Sequence, residues 1–282
     1  MSGATAAAVV LSHGGTRQLR RLVDRLHGLE IIIHYDRRSS DSEFLRMQRV
    51  ITDAVFLQRL PTRWGSWNLV QAELNGIREA LDRPAVQHVV VLTGSDYPTC
   101  SGTDLLQRMH SLHDSSAFPF FELPVAWWRG GGFPRFTRYY WTVRKRPVAL
   151  PLRRQLPRGI VPCGGPQVKI LARTDAQIVL DTYDSKPGLA NYFRHVWIPD
   201  ETFIPTVLRT CGGTGPSDDM WYIRWSSNQS GPPVLTNADW PEIAAEADRR
   251  AAEQRSPLSF IRKVDPDLSA SLLDRLDRGG IG

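Results

Sequence analysis

The segment from Trp197 to Phe203 contains two adjacent carboxylates, Asp200 and Glu201, directly after Pro199. Proline suits the first turn of a helix, where its missing N–H has no partner to lose. Acidic side chains there are favoured by the positive end of the helix dipole. The segment therefore predicts the start of a helix in which Asp200 has a mainly structural role. A carboxylate at the mouth of a cleft can also act as a general base, and the local sequence leaves both interpretations open.

Polar residues follow three predicted strands at the point where each strand ends. They lie at 12–15 (Ser-His-Gly-Gly), at 34–38 (His-Tyr-Asp-Arg-Arg) and at 93–98 (Thr-Gly-Ser-Asp-Tyr-Pro). In doubly wound sheets, ligands bind in the crevice at the carboxyl ends of the strands. Each segment alone would favour an ordinary turn, but three of them at one edge favour a binding site.

The elements that must position these residues follow from hydrophobic periodicity. The predicted strands lie at 6–12, 31–33, 54–57, 89–92, 167–171 and 221–225. The predicted helices lie at 19–26, 69–81, 103–112, 174–183 (with Thr174 as N-cap), 201–209, 241–253 and 268–276. Strands that alternate with helices predict an α/β fold with a doubly wound, mostly parallel sheet flanked by helices.

Residues 118–166 break this alternation, because the region is crowded with proline, glycine and aromatic residues. We expect an irregular central insertion within a single domain that spans residues 1–282. Trp128 could stack on a sugar face, or it could pack the loop against the core. Gly164 and Gly165 could let the backbone approach a ligand, or they could form a turn.

Composition limits the classes of partner and compartment. The net charge of +6 favours an anionic ligand, but the arginines are scattered and form no basic stripe, so we expect no nucleic acid partner. Three distant cysteines predict free thiols in a reducing compartment. No segment is typical of a signal peptide or a membrane span, and we expect a cytoplasmic protein.

Several common site motifs are absent from the sequence. Gly14 and Gly15 lack the full GxGxxG pattern of dinucleotide-binding folds, and no Walker A motif occurs. His13 and His34 have no partners at metal-ligand spacing. We therefore predict no metal site and no cofactor.

The order of these short motifs resembles that of the core-2/I-branching β-1,6-N-acetylglucosaminyltransferases and their xylosyltransferase relatives (glycosyltransferase family 14). The matching segments are 8–13, 32–38, 63–72, 92–98, 163–167, 199–201, 222–225 and 260–263. Each segment is short, but their shared order over roughly residues 6–265 is specific. The resemblance implies a GT-A-like fold with a nucleotide-binding half at about 1–115 and an acceptor and catalytic half at about 116–282.

The resemblance also implies an activity: metal-independent transfer of a sugar from a UDP-sugar, with inversion. Glu201 matches the family's catalytic base, while Arg224 and Lys263 match the two basic residues that hold the diphosphate. His13 and Asp36 lie in segments that surround the nucleoside. The remaining candidates are placed in the donor or acceptor sugar pocket: Asp96, Trp128, Gly164, Gly165 and Asp200.

The sequence does not identify the donor sugar or the acceptor molecule. N-acetylglucosamine and xylose are the expected donor sugars, and another sugar on the same fold is an alternative. A non-catalytic protein that binds carbohydrate or nucleic acid is a further alternative. Because the chain lacks the membrane anchor and many cysteines of the animal relatives, we expect a bacterial glycan, glycolipid or secondary-metabolite acceptor.

Overall fold

The structure is a computed structural model that describes residues 5–143, 146–225 and 231–281. Its strands are β1 (Ala6–Ser12), β2 (Glu30–Tyr35), β3 (Ala54–Phe56), β4 (His88–Thr93), β5 (Asp96–Pro98), β6 (Phe121–Glu122), β7 (Arg138–Val143), β8 (Arg146–Arg153), β9 (Cys163–Gly164), β10 (Lys169–Ala172), β11 (Trp221–Ile223) and β12 (Phe260–Arg262). Its α-helices are α1 (Thr16–Arg25), α2 (Asp41–Val50), α3 (Trp67–Leu81), α4 (Gly102–His110), α5 (Phe133–Thr137), α6 (Arg173–Ser185), α7 (Pro187–Phe193), α8 (Phe203–Cys211), α9 (Trp240–Ala252) and α10 (Ala270–Gly279).

The main sheet has five strands in the order β10-β4-β1-β2-β3. β1 is parallel to β2 and to β4, and β2 is parallel to β3, whereas β10 runs antiparallel to β4. Leu11 of β1 is paired with His34 on one side and with Thr93 on the other. The carboxyl ends of the three central strands therefore meet at one edge of the sheet.

Both faces of this sheet are covered, so the middle of each central strand is a continuous apolar run, as expected for a buried parallel sheet. Ala8 and Val10 of β1 pack into the core on one face, while Ala7 and Val9 pack into the core on the other. α3 lies close to β1 at Gly76, where an added Cβ would be 2.3 Å from a methyl carbon of Val9. The predicted α/β class, a mixed and mostly parallel sheet flanked by helices, is confirmed.

A smaller sheet has the order β11-β12-β5. β11 is parallel to β12, and β12 runs antiparallel to β5 with Arg262 opposite Asp96. This sheet carries Lys263, which directly follows β12, to the same edge as the central strand ends of the main sheet.

Most predicted boundaries differ from the structure by one to three residues, and three of the differences change the place of a residue named in the sequence analysis. The helix predicted from Thr174 begins at Arg173, with Ala172 at the N-cap position and no side-chain cap. The strand predicted for 221–225 ends at Ile223, so Arg224 lies just beyond it. The helix predicted from 201 begins at Phe203, because Pro199–Glu201 forms a separate 3₁₀ turn.

The central insertion is more regular than predicted. β7 and β8 form an antiparallel hairpin, although Pro147 and Pro151 lie within β8. Such prolines are tolerated in a two-stranded ribbon, where one edge of each strand has no partner to lose. None of the described helices combines the length and the apolar character that crossing a lipid bilayer requires.

Candidate active site

A cleft of about 520 Å³ opens at the carboxyl ends of β1, β2 and β4. All three polar strand ends predicted from the sequence contribute to it, together with the segment that follows β12. Its polar and aromatic lining includes Ser12, His13, His34, Asp36, Arg38, Thr62, Trp64, Ser95, Gln167 and Lys263. The structure thus brings His13, Asp36 and Lys263 into one cavity, although more than 200 residues of sequence separate the first two from the third.

Asp36 is buried at the base of this cleft. Its Oδ1 accepts hydrogen bonds from the backbone N–H groups of Arg38 (2.9 Å) and Thr62 (3.2 Å), and its Oδ2 accepts one from Arg38 Nη2 (2.7 Å). Burial opposes ionisation of Asp36, but these hydrogen bonds and the Arg38 charge outweigh it and lower the pKa of the carboxyl. Asp36 is therefore an anion that ties two lining segments together.

His34, two residues before Asp36, is also buried. Burial lowers the pKa of His34 to about 4, so the imidazole is neutral near pH 7. Its Nε2 accepts a hydrogen bond from the backbone N–H of Leu60 at 2.9 Å. His34 therefore supports the wall of the cleft rather than supplying a charge.

The two cations predicted to hold a diphosphate have different surroundings. Lys263 is exposed, lines the cleft, and forms no salt bridge within residues 5–143, 146–225 and 231–281. Arg224 follows Ile223, which is paired with Arg262 across two parallel strands, so Arg224 and Lys263 leave the small sheet side by side. Arg224, however, forms an ion pair with Asp239 and does not line the cleft.

Asp96 was predicted in the sugar pocket, but its carboxylate is fully buried behind the cleft. Its Oδ2 accepts hydrogen bonds from Arg262 (2.9 Å) and from the N–H and hydroxyl of Thr93 (both 2.7 Å). Its Oδ1 accepts one from Trp221 Nε1 at 3.2 Å. This placement corrects the prediction: a carboxylate so enclosed does not reach a ligand, and it instead fixes Arg262, the neighbour of Lys263.

Glu201 ends the 3₁₀ turn and forms an ion pair that local sequence reasoning missed. Its Oε2 accepts a hydrogen bond from Arg135 Nη1 at 2.6 Å, and the carboxylate side chain keeps 29% exposure. The Arg135 guanidinium lies 3.4 Å from the ring centre of Trp128 and 5.1 Å from that of Trp197. Two aromatic faces thus hold the arginine that orients one carboxylate oxygen, while no described residue hydrogen-bonds to Oε1.

The backbone that presents Glu201 is itself strained. Ile198 has a φ of +54°, a conformation that β-branched residues rarely adopt and that costs about 1–3 kcal/mol. Strain of this size persists only where the surroundings impose it. The turn from Pro199 to Glu201 is therefore held in a defined orientation.

The predicted sugar-pocket residues Trp128, Gly164 and Gly165 have packing roles in this structure. An added Cβ on Gly164 would be 2.3 Å from a ring atom of Trp128, so the glycine lets the indole pack directly against β9. The Gly165 N–H donates to the Glu201 carbonyl at 2.8 Å. Gly164 is also part of a strand rather than a turn.

Two contacts connect the Glu201 turn to the cleft. Gly165 lies two residues before Gln167, which lines the cleft. Gly65 follows the lining residue Trp64, and a Cβ on it would be 3.5 Å from Ile198. The turn therefore packs against two segments of the cleft wall, although Glu201 itself is not a lining residue.

Beneath Glu201, the structure buries further charges. Lys169 Nζ donates to Glu73 Oε1 at 2.7 Å, and both side chains are almost completely inaccessible to solvent. Asp200 is buried beside them, with an Oδ1 atom that has no hydrogen-bond partner among the described residues. Burial and then the neighbouring Glu201 carboxylate raise the pKa of Asp200 to about 7, against the opposing charge of Lys169. Asp200 is thus enclosed within the protein and does not line the cleft.

Replacing Asp200 with Asn is expected to stabilise the protein at pH 8.5 relative to wild type, and to change stability much less at pH 5. The folded-state pKa of about 7 lies above the ordinary value of 3.8. The cost of ionising Asp200 in the fold therefore develops as the pH rises from about 4 to about 7, and amounts to roughly 4 kcal/mol. Urea unfolding at both pH values measures the difference. Asp82→Asn, at an exposed helix end, is the control and should give the same small change at both.

Within the three described ranges, no three His, Cys, Asp or Glu side chains are grouped as metal ligands would be. The residues that sequence reasoning missed are Arg135, Glu73 and Lys169. Arg135 and Glu73 lie in sequence contexts that give no sign of a functional role. Lys169 lies within the predicted strand 167–171, and a buried lysine in a strand needs a carboxylate partner, which is the one signal that the sequence offered.

Comparison with solved structures found distant likenesses. Mannose-1-phosphate geranyltransferase from Thermus thermophilus is 10% identical, with a TM-score of 0.31, and covers 67% of this chain and 63% of that one. A 4-diphosphocytidyl-2C-methyl-D-erythritol synthase is 8% identical, with a TM-score of 0.32, and covers 62% of this chain and 78% of that one.

Comparison with curated sequences found relatives at low identity. Xylosyltransferase 2 of Bos taurus is 22% identical over 306 residues, which cover 96% of this chain and 33% of the bovine protein. Xylosyltransferase 2 of Homo sapiens is 25% identical over 229 residues, which cover 72% of this chain and 24% of the human protein. The chain thus spans a third or less of the length of these relatives.

A sequence profile of the core-2/I-branching enzyme family matches residues 10–249. The match includes most of the main sheet, the Glu201 turn and Arg224. It confirms the resemblance found from the order of short motifs, and the chain belongs to the core-2/I-branching enzyme family.

Proposed function

We propose that this protein is an inverting glycosyltransferase that transfers a sugar, N-acetylglucosamine or xylose, from a UDP-sugar to an acceptor hydroxyl without a metal ion. One observation carries the proposal. The cleft at the strand ends contains a fixed anion, Asp36, and a cation, Lys263, that pairs with no described carboxylate, and its wall packs against the turn of Glu201. The distant xylosyltransferase relatives and the family membership support the same reaction class.

The donor would lie along the cleft. A nucleoside would bind near His13 and Asp36, and the diphosphate would approach Lys263, with Arg224 beside it at the end of the neighbouring strand. In this arrangement residues 1–115 supply most of the nucleotide contacts, and residues 116–282 supply the base and the acceptor contacts. Charge-assisted hydrogen bonds to phosphate are strong, and two cations can stabilise the charge of a departing UDP.

Inversion by single displacement requires one base on the acceptor side. As the acceptor oxygen forms its bond to the anomeric carbon, the bond to the diphosphate oxygen breaks and the acceptor proton moves to Glu201. Arg135 holds Oε2 of this carboxylate, which leaves Oε1 to take the proton. An arginine contact of this kind orients the base during the transfer.

The two cations should contribute unequally to UDP binding. Lys263→Ala is expected to raise the Kd for UDP by roughly 10- to 100-fold, the usual worth of a hydrogen bond to a charged group. Arg224→Ala should raise the Kd for UDP by less than about fivefold. The reason is that Asp239 already compensates the charge of Arg224, in an ion pair whose arginine is partly exposed to solvent. Isothermal titration with UDP in the presence of EDTA measures both affinities.

Lys186→Ala, at an exposed position outside the cleft, is the matched control for the loss of one lysine charge. An unchanged Kd for Lys263→Ala would remove Lys263 from the diphosphate site. UDP binding that depends on an added divalent cation would contradict the metal-independent mechanism.

The reaction itself is tested by incubating the protein with a panel of UDP-sugars and following slow donor hydrolysis. We expect release of UDP from one donor in preference to the others, in EDTA. Absence of hydrolysis with every donor, together with no UDP binding, would favour a non-catalytic binding protein.

We also propose a cytoplasmic location and a glycan, glycolipid or secondary-metabolite acceptor. The cysteines support a reducing compartment, since Cys100, Cys163 and Cys211 are all free thiols and the first two are buried.

A further inference from the structure

The central insertion carries an uneven share of the charge of the chain. Its one acidic residue is Glu122, and residues 123–168 contain nine lysine and arginine residues and no aspartate or glutamate. The whole chain has a net charge of +6, so the remainder is slightly acidic. A basic segment of this kind is typical of surfaces that bind anionic lipid or other polyanions.

The hairpin β7–β8 combines this charge with exposed apolar side chains. Trp141, Val148 and Leu152 are 55%, 43% and 59% exposed. Trp141 is directly opposite Val148 across the hairpin, so the two side chains share one face. Large exposed apolar groups on so small an element indicate an interaction surface.

Arg138 and Arg153 lie opposite one another across the hairpin, and both are exposed. Like charges in this position destabilise a strand pair unless an anion compensates them. Neither arginine forms a salt bridge with a described residue. Between these two arginines the sequence contains three further cations, Arg144, Lys145 and Arg146.

The hairpin is attached firmly to the rest of the protein. Arg154 donates to the carbonyls of Phe136 and Tyr192, both at 2.8 Å, and stacks on the Tyr192 ring at 3.8 Å. The Tyr140 N–H donates to the His195 carbonyl at 3.0 Å. The exposed side chains are therefore presented on a fixed support.

We propose that the hairpin β7–β8 binds the surface of an anionic lipid membrane. In this arrangement Trp141, Val148 and Leu152 enter the interfacial layer while the surrounding arginines contact lipid phosphates. Tryptophan and arginine are the residues that this layer favours. A nucleic acid or an acidic glycan would satisfy the cations but would leave valine and leucine without apolar partners. A second copy of the chain would bring two basic surfaces together.

If the proposed sugar transfer is correct, membrane binding by the hairpin also bears on the acceptor. Tyr140 stacks on Trp197, with ring centres 5.7 Å apart, and Trp197 lies four residues before Glu201. A membrane held by the hairpin would thus place a lipid-linked acceptor on the same side of the molecule as the candidate base.

Co-sedimentation with vesicles tests the proposal. The full chain should bind vesicles of phosphatidylcholine with about 30% phosphatidylglycerol, bind pure phosphatidylcholine weakly, and dissociate as salt screens the charges. Arg138→Gln/Arg153→Gln should weaken binding by roughly tenfold or more, since each cation near the surface is worth about fivefold. Trp141→Ser/Leu152→Ser should weaken it by about tenfold through the lost apolar contact.

Leu45→Ser/Leu268→Ser is the control, because these leucines are equally exposed elsewhere on the surface and should leave vesicle binding unchanged. Circular dichroism and thermal unfolding show that each variant is folded. Glu201→Gln should bind vesicles like wild type, so failure of the sugar-transfer assignment and failure of membrane binding are separate results.

Three outcomes would overturn the proposal. One is equal sedimentation with neutral and anionic vesicles, or with neither. Another is binding to single-stranded DNA or heparin that needs Arg138 and Arg153 but not Trp141 and Leu152, because it identifies a polyanion surface. The last is a lipid-free dimer that Trp141→Ser/Leu152→Ser dissociates, because it identifies a second copy as the occupant.

Discussion

Replacing Glu201 with Gln is expected to lower the turnover of sugar transfer by roughly 10²–10⁴-fold, the usual contribution of a general base, while UDP affinity stays almost unchanged. Glutamine has the shape of glutamate, and its carbonyl oxygen can still accept the hydrogen bond from Arg135. The variant therefore loses the proton acceptor but keeps the geometry of the contact. Steady-state transfer assays and titration with UDP measure the two quantities separately.

Glu122→Gln provides the matched control. Glu122 also pairs with an arginine, Arg209, but it is exposed and lies outside the proposed mechanism. We expect its turnover to equal that of wild type. Wild-type turnover in Glu201→Gln would show that the base assignment is wrong, and an equal loss in both variants would point to a general charge effect.

Replacing Lys169 with Met is expected to destabilise the protein by about 3–5 kcal/mol, the cost of breaking a buried ion pair from one side. The side chain of Lys169 is completely buried, and its ammonium group is the hydrogen-bond partner of Glu73. Without it, the Glu73 carboxylate is left in the core, where its Oε2 already has no partner among the described residues. Urea unfolding at pH 7 measures the loss.

Two companion variants define the cause of this loss. Lys186→Met removes an exposed lysine and should change the free energy of unfolding by no more than about 0.5 kcal/mol. Lys169→Met/Glu73→Leu removes both buried charges and should recover most of the stability, because an apolar pair avoids the desolvation cost. A single Lys169→Met variant as stable as wild type would contradict the interpretation.

Much of the fold could be predicted from local patterns. The apolar run that predicted a strand at 6–12 is β1, and the one at 89–92 lies within β4. The helix predicted at 69–81 lies within α3. These elements are buried on one or both faces, so most of their buried positions are apolar and the spacing of the apolar residues identifies the strand or helix.

Other elements had no such signal. α2 buries only Met47 among its ten residues, so few of its positions had to be apolar. The strands β7 and β8 carry arginines and prolines in place of regular alternation, because the hairpin is largely exposed. α8 begins only after Thr202, because this residue has a non-helical φ of −130°. Nothing in the local sequence indicates that the helix is interrupted there.

The candidate site divides in a similar way. The three polar strand ends could be placed together from the sequence, since parallel neighbouring strands bring their carboxyl ends to one edge. The ion pair of Arg135 with Glu201 joins residues 66 positions apart, and that of Lys169 with Glu73 joins residues 96 apart. No local pattern links such residues.

The sequence by itself determined the fold class, the family and the order of the polar strand ends, because these depend on periodicity and on short motifs along the chain. Only the tertiary structure decided which charges are paired, which carboxylate is enclosed and which cation faces the cleft. The physical reason is that desolvation and ion pairing depend on distance and burial in three dimensions. Asp96 and Asp36 each follow a strand of the main sheet, yet the fold encloses Asp96 behind Arg262 and leaves Asp36 at the base of the cleft.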